Sequence, residues 1–292
     1  MFSQPCISTL LRLLPAPTSS KAIAPGLTLV RADAPTQPQA ILYQPVFYIV
    51  LQGQKQSLLA GEPYTYDPGR FLALTVPLPM EGHVTRASPA EPYLAIKIDV
   101  DSQAVADLLQ ALPELTPQLR ASRGVCTCPV SDALRDCVER LVASLEDPQA
   151  RRVLTPMLVR EILFHGLRSP QGAQLAAFVT RDRHHQRIAR VIHHIQQHYA
   201  EPMDVNALAT VAHMSQSALH QHFKAVTRVS PLQYVKSIRL HRAHHLVAAR
   251  QTSISEAAWQ VGYQSVSQFS REYKRLFGQP PSQASALGGH TK

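Results

Sequence analysis

The chain has 292 residues, more than one ordinary hydrophobic core accommodates, so two domains are expected. With 45% hydrophobic and 17% charged residues it is neither disordered nor fibrous, and no run approaches the roughly 18 apolar residues of a membrane span. The formal net charge of +9 lies wholly in the last third, where Arg181 to Lys292 carries 14 of the 29 Lys+Arg and 5 of the 20 Asp+Glu.

The same segment holds 12 of the 14 histidines, while 19 of the 23 prolines lie in the first 180 residues. That contrast separates a neutral, turn-rich domain from a basic, helical one whose natural partner is a polyanion. No cationic stretch precedes an apolar one at the amino terminus, as a secretory signal would require, so a soluble cytoplasmic protein is expected.

In chain order, Leu27 to Val30, Ile41 to Leu51, Gln56 to Leu59, Phe71 to Val76 and Tyr93 to Ile98 read as strands. Gln52-Gly53, Gly61-Glu62-Pro63 and Asp67-Pro68-Gly69 read as turns between them, which predicts a small barrel or sandwich. From Ser102 the period lengthens. Ala104, Leu108, Leu109 and Leu112 form one helical stripe, Leu134, Val138, Leu141 and Leu145 a second, and Leu158, Ile162, Leu163 and Leu167 a third. These helices either cover the barrel or form a dimer seam. A linker is expected near Ser169-Pro170-Gln171-Gly172, dividing a first domain over 1–175 from a second over 183–285.

The basic segment repeats itself at a spacing of 50 residues. Ala207, Val211, Ser215, Ser217, Lys224 and Pro231 fall on Ala257, Val261, Ser265, Ser267, Lys274 and Pro281, and Leu219, Phe223 and Val226 fall on Phe269, Tyr273 and Leu276. Each copy reads as helix, tight turn, helix. Asp204 caps the first helix, Ala212-His213-Met214 is the turn, and Ser215 caps a second helix to about Thr227. In the second copy Ser253 with Glu256 makes a capping box, Gly262-Tyr263-Gln264 is the turn, and Ser265 with Gln268 makes another box opening a helix to Phe277. Gly262 suits a positive φ, for which Ala212 is a poorer residue. Ser230-Pro231 opens a connecting helix of about 18 residues, roughly 27 Å long at 1.5 Å per residue.

A helix-turn-helix lays its second helix in the major groove, and successive grooves on one side of DNA lie about 34 Å apart. The first reading helix offers Ser215, Gln216, Ser217, His220, Gln221 and Lys224, and the second Gln264, Ser265, Val266, Ser267, Gln268, Arg271 and Lys274, with Arg275 alongside. Arginine grips guanine or phosphate, glutamine pairs with adenine, valine touches a thymine methyl, and lysine meets phosphate. Leu219, Phe223, Phe269, Tyr273 and Trp259 are expected in the core.

At these residues the sequence resembles the AraC/XylS family of bacterial transcription regulators. Ile254-Ser255-Glu256-Ala257-Ala258, Val261-Gly262-Tyr263, Ser267-Gln268-Phe269-Ser270-Arg271-Glu272-Tyr273-Lys274-Arg275, Phe277-Gly278 and Pro280-Pro281 carry that resemblance, which spans about Ile188 to Ser282. Met214-Ser215 to Phe223-Lys224 and Ser230-Pro231-Leu232-Gln233-Tyr234 agree with it. The resemblance implies base-reading positions at Ser217, His220, Gln221, Val266, Ser267, Gln268 and Arg271. It also marks two departures, Arg228 where the family usually has glycine and His244 where arginine is frequent.

Tyr43-Gln44-Pro45, Val50-Leu51-Gln52-Gly53, Tyr66-Asp67-Pro68-Gly69 and Glu91-Pro92-Tyr93-Leu94-Ala95 resemble the cupin-type amino-terminal domain of one branch of the family. An α+β architecture follows, a β-rich cupin-like domain before an all-α one with two helix-turn-helix units. The expected function is sequence-specific transcription regulation at the nucleoid, with promoter DNA as partner. A small-molecule effector and a second copy of the chain are candidate partners, as is RNA polymerase for an activator. No cofactor and no enzymatic activity are expected.

Three rival readings remain. A metal-dependent cupin needs clustered ligands, and the first 180 residues offer only His83 and His165. The pairs His194/His198 and His241/His245 have helical metal spacing, but read as surface groups facing phosphate. Redox sensing by Cys126, Cys128 and Cys137 needs exposed thiols near positive charge, whereas the four cysteines, Cys6 included, read as reduced and buried.

Overall fold

The computed structural model describes residues 1–112, 123–177, 183–250 and 252–284, so the expected domain junction runs through residues 178–182, outside those described. Among the described residues ten strands form two antiparallel sheets. In the first the order is β1 (Ser19–Ala24), β2 (Leu27–Ala32), β9 (Tyr93–Asp99), β4 (Val46–Gln52), β7 (Arg70–Leu74) and β10 (Val125–Pro129). In the second it is β3 (Gln39–Tyr43), β8 (Leu78–Arg86), β5 (Gln54–Leu59) and β6 (Glu62–Tyr66).

The expected strand Ile41 to Leu51 is two strands in different sheets, broken at Gln44-Pro45. Proline has no N–H for the ladder, and the Pro45 carbonyl instead accepts from Val100 N–H at 3.1 Å. The run looked continuous because β4 is buried on both faces. Val46, Tyr48 and Val50 pack between the sheets, while Phe47, Ile49 and Leu51 lie under helices. Those helices are α1 (Gln4–Leu13), α2 (Ser102–Ala111), α3 (Asp132–Ser144), α4 (Pro148–Leu167) and α5 (Gly172–Ala177). The expected linker at Ser169 to Gly172 therefore leads into one more short helix rather than out of the domain. The turn read at Gly61-Glu62-Pro63 sits one residue earlier, with Ala60 and Gly61 at φ 51° and 84°, the geometry of a two-residue hairpin. Glu62 pairs with Leu59 and opens β6, an edge strand that tolerates Pro63.

The second domain comprises α6 (Arg183–His198), α7 (Val205–Ala212), α8 (Gln216–Thr227), α9 (Pro231–Ala248), α10 (Ile254–Gln260) and α11 (Val266–Phe277), then a 3-10 turn at Pro281–Gln283. The connecting helix α9 has the expected 18 residues and serves two cores in succession. Tyr234, Val235 and Ile238 pack with Leu219 and Phe223 of the first unit, and Leu240 and Ala243 with Phe269 and Tyr273 of the second.

The first unit's core is continuous with the space between the two sheets, where Tyr48, Leu74, Leu78, Phe223 and Ile238 belong to one cluster. Polar contacts reinforce that seam. Tyr234 Oη donates to the Pro77 carbonyl at 2.8 Å, and Gly124 N–H donates to the Val226 carbonyl at 3.0 Å. Arg228 Nη2 donates to Glu62 Oε2 at 2.7 Å, and Arg123 donates to the other carboxylate oxygen.

Candidate nucleic-acid interface

Each unit is built by caps that the sequence encodes. Asp204 Oδ1 accepts from Ala207 N–H at 2.8 Å, and Ser215 Oγ accepts from Ala218 N–H at 3.2 Å. In the second unit Ser253 and Glu256 close their box at 3.2 and 3.0 Å, and Ser265 Oγ accepts from Gln268 N–H at 3.2 Å. The expected second box does not close, because the Gln268 side chain turns away from Ser265 toward Glu272.

Both turns are Schellman motifs. Met214 and His213 N–H donate to the Ala209 and Thr210 carbonyls at 3.1 and 3.0 Å, and Tyr263 and Gly262 N–H donate to those of Ala258 and Trp259 at 2.9 Å each. They differ by one position in the repeat. In the first unit Ala212 stays helical and His213 takes the positive φ of 49°, while in the second Gly262 takes it at 85°. Gly262 has a further reason to lack a side chain, since a Cβ there would lie 2.2 Å from the Ala200 carbonyl oxygen.

After α8, Arg228 adopts φ 65°, nearly the 73° of Gly278 at the matching place after α11. The turn is thus kept despite the departure from glycine. A non-glycine residue there costs roughly 1 kcal/mol, and the ion pair with Glu62 offsets part of it.

The expected reading residues are presented to solvent. Ser215, Gln216, Ser217, His220, Gln221 and Lys224 of the first unit are exposed, as are Gln264, Ser265, Ser267, Gln268, Arg271, Lys274 and Arg275 of the second. Val266 is half-buried against the second core, with part of its surface open. Ser215 and Ser265 use an oxygen lone pair as caps and retain an O–H donor. Gln216 Nε2 is tethered to Asn206 Oδ1 on α7. Leu219, Phe223, Phe269 and Tyr273 are buried as expected, but Trp259 is 60% exposed. The buried face of α10 is formed by Ala257 and Ala258, followed by Val261, and the indole points outward from it.

Two features have no local signature in the sequence. Arg239 on α9 stitches the units together, with Nε donating to the Tyr199 carbonyl at 2.6 Å, Nη2 to that of Glu201 at 2.8 Å and Nη1 to that of Gly262 at 3.2 Å. Glu272 of α11 accepts from Tyr263 Oη at 2.7 Å and from Lys236 Nζ at 3.0 Å. Burial alone raises its carboxyl pKa, but the hydrogen bonds from Tyr263, Lys236 and Gln268 outweigh it and hold the group below its ordinary value.

The histidines of α9 depart from the surface reading. His241 and His244 are buried, and His244 Nδ1 meets Tyr273 Oη at 2.5 Å. Burial, aided by His244 and His245, pushes His241 down to about 3, so it is neutral at pH 7. His194 and His198 stack at 4.6 Å, and His198 Nδ1 lies 2.9 Å from Glu201.

All four thiols are buried, Cys126 and Cys128 with their Sγ atoms 3.6 Å apart, and burial pushes Cys6 and Cys137 up to about 12. Among the described residues no group of three His, Cys, Asp or Glu is placed to hold a metal, and no helix is long and apolar enough to cross a membrane.

A cavity of about 420 Å³ lies between the domains. Ile41, Tyr43, Pro45 and Tyr48 line it from the sheets, and His241, Arg242 and His245 from α9. Neither nitrogen of His241 has a hydrogen-bond partner among the described residues. Behind the cavity wall, the buried Lys55 ammonium lies 4.6 Å from the Tyr48 ring centroid and 5.5 Å from that of Tyr43.

A β-rich domain joined to paired helix-turn-helix units with solvent-facing reading helices defines a DNA-binding regulator. Comparison with known proteins makes the assignment. Residues 23–174 match the AraC-type transcriptional regulator N-terminus family and residues 208–286 a helix-turn-helix domain family. The chain belongs to the AraC family of transcription regulators. It is 26% identical over 243 residues to the virulence regulon transcriptional activator VirF of Yersinia enterocolitica, covering 81% of this chain and 87% of that one. It is also 26% identical over 178 residues to the transcriptional activator RhaS of Escherichia coli, covering 59% and 62%. Its fold is similar to that of ToxT from Vibrio cholerae, with a TM-score of 0.57 at 13% identity over 91% of this chain and 97% of that one.

Proposed function

We propose that the chain binds promoter DNA with α8 and α11 in successive major grooves and that a small amphipathic acid bound between the domains governs that engagement. The observation that carries the DNA reading is the exposure of the polar face of both reading helices while their apolar faces are buried around one shared helix, α9. At 18 residues α9 extends about 27 Å, and the widths of the units make up the difference to a groove repeat of about 34 Å. Ser217, His220 and Gln221 read the first groove, and Val266, Ser267, Gln268 and Arg271 the second. Lys224, Lys274 and Arg275 meet phosphates.

Footprinting on DNA around the chain's own gene is expected to give two protected patches one helical turn apart on one face. A single half-turn of protection would overturn the paired reading. Arg271→Ala is expected to cost about 1 to 3 kcal/mol and to relax preference at one base pair.

The effector reading is supported by the cavity, whose two walls come from different domains and whose polar lining includes the Arg242 guanidinium and the His241 imidazole, with the Asp99 carboxylate set against Lys97. One crystal structure of ToxT holds an unsaturated fatty acid. A carboxylate facing Arg242 and His245, with its tail against Tyr43 and Tyr48, would bridge the domains here. Titration calorimetry of the full chain with an unsaturated fatty acid tests this. Binding should weaken at least tenfold in an Arg242→Ala/His245→Ala variant, and equal affinity would refute the site.

Self-association is assigned to α4. Its inner face, Leu158, Ile162 and Leu163, covers the sheet, while Val153, Leu154 and Met157 are 57%, 42% and 63% exposed. Sedimentation should show a dimer that Met157→Glu weakens. If the protein activates, as the names of VirF and RhaS state for those relatives, RNA polymerase is a further partner.

A further inference from the structure

The same four-residue spacing, Ser-x-x-Gln, opens both α9 and α11, yet the two glutamines behave differently. At α9 the box closes, with Gln233 Oε1 accepting from Ser230 N–H at 3.2 Å and Ser230 Oγ accepting from Gln233 N–H at 3.3 Å. At α11 Ser265 does its half, but Gln268 Nε2 donates to Glu272 Oε1 at 3.2 Å. The difference lies one turn further on. Gln233 is followed at that spacing by Ser237, and Gln268 by Glu272, whose carboxylate is the stronger acceptor.

Glu272 is itself immobilised. Its side chain is only 13% exposed and is held from two other elements, by Lys236 of α9 on Oε1 and by Tyr263 of the turn on Oε2. With both oxygens engaged it is not a base reader, and its charge is matched by Lys236 rather than left to repel phosphate. The exposed Gln268 amide therefore stands on a fixed acceptor.

That contact breaks the near-symmetry of the amide. Flipping it would aim the Gln268 oxygen at a carboxylate, a like-polarity contact, so the oxygen is kept turned away. One N–H is committed to Glu272, leaving the other N–H and the oxygen, the pair that adenine accepts and donates to through N7 and N6. The first unit has no such arrangement, because the repeat puts Ala218 and His222 at the matching positions.

We infer that Glu272 is a positioning residue for base reading, clamped by Lys236 and Tyr263 so that it fixes the Gln268 amide in the orientation that selects adenine. This rests on the proposed placement of α11 in a major groove.

The test is selection by the full-length chain from a duplex library randomised across the site, comparing wild type with Gln268→Ala, Glu272→Ala, Glu272→Gln and Lys236→Gln. Gln268→Ala is expected to flatten an adenine preference at one base pair. Glu272→Ala should reduce that same preference roughly threefold to tenfold, the range set by the cost of ordering one free side chain. The preference due to Arg271 should stay unchanged. Glu272→Gln keeps an acceptor and should recover part of the loss, and Lys236→Gln, at a half-exposed site, should give a smaller loss at the same base pair.

If Glu272→Ala leaves the Gln268 base pair untouched, or flattens every position alike, the positioning role is overturned while the groove reading stands. If Gln268→Ala itself changes no position, the groove placement of this residue fails, and the inference with it.

Discussion

Gly262 and Gly278 offer a controlled pair of perturbations. Both have positive φ, 85° and 73°, so alanine at either imposes left-handed backbone strain of roughly 1 to 2 kcal/mol. They differ in what a Cβ meets. At Gly278 nothing among the described residues lies within 4 Å, whereas at Gly262 the new carbon would sit 2.2 Å from the Ala200 carbonyl oxygen and 2.8 Å from its carbon. Both atoms are backbone, so relief requires the end of α6 and the turn of the second unit to part, against the three carbonyl contacts of Arg239. Overpacking of that kind costs about 1 to 3 kcal/mol. Gly278→Ala should therefore lose about 1 to 2 kcal/mol and Gly262→Ala about 2 to 5. The chain's single tryptophan, Trp259, lies in α10 beside the turn, so its emission during denaturant unfolding follows this unit. Equal destabilisation by the two substitutions would refute the close-approach account, and a neutral Gly262→Ala would refute the turn geometry as well.

His241, folded at about 3 and unfolded at about 6.5, binds fewer protons when folded. Its stabilisation is complete above pH 6.5 and is lost as pH falls toward 3, amounting to about 2 kcal/mol by pH 5, with half-buried His245 acting in the same direction. Unfolding of His241→Phe followed against pH should lack most of this dependence. Arg228→Gly removes the Glu62 ion pair but relieves the backbone, whereas Arg228→Ala removes the pair and keeps the strain; the alanine variant should be less stable by about 1 kcal/mol in calorimetric melts. Lys274→Ala should weaken binding evenly across DNA sequences and reduce the slope of log K against log salt by about 1; an unchanged slope would remove its phosphate contact.

The helical domain was legible because its signals are local. Asp204, Ser215, Ser253 and Ser265 each cap within three residues of themselves, and the repeat fixed which residues are equivalent. The β domain was less so. β1 carries no buried alternation, β8 alternates in burial but contains Pro79 and Gly82, residues that argue against a strand, and β10 is a strand only because it pairs with β7 some fifty residues earlier. Trp259 is exposed where its aromatic character predicts burial, because that character says nothing about which face of a seven-residue helix finds a partner. His213 took the left-handed position that the repeat assigned to residue 212, since a helix can end one residue later without altering its cap. The Glu272 clamp needs α9 and α11 to cross, and the 50-residue repeat is silent on that.

The two reading units are mounted unequally. The first is welded into the sandwich through a common apolar interior, and the second keeps an interior of its own at the far end of α9. Any shift in the β domain therefore arrives at the first probe through that common interior, and at the second along α9 and through the smaller contact of α11 with β3. Severing the halves would strip the first probe of its lining, while the outer one would keep its own interior and lose only its contact with β3, so the outboard member is the natural place for fine adjustment to a particular operator.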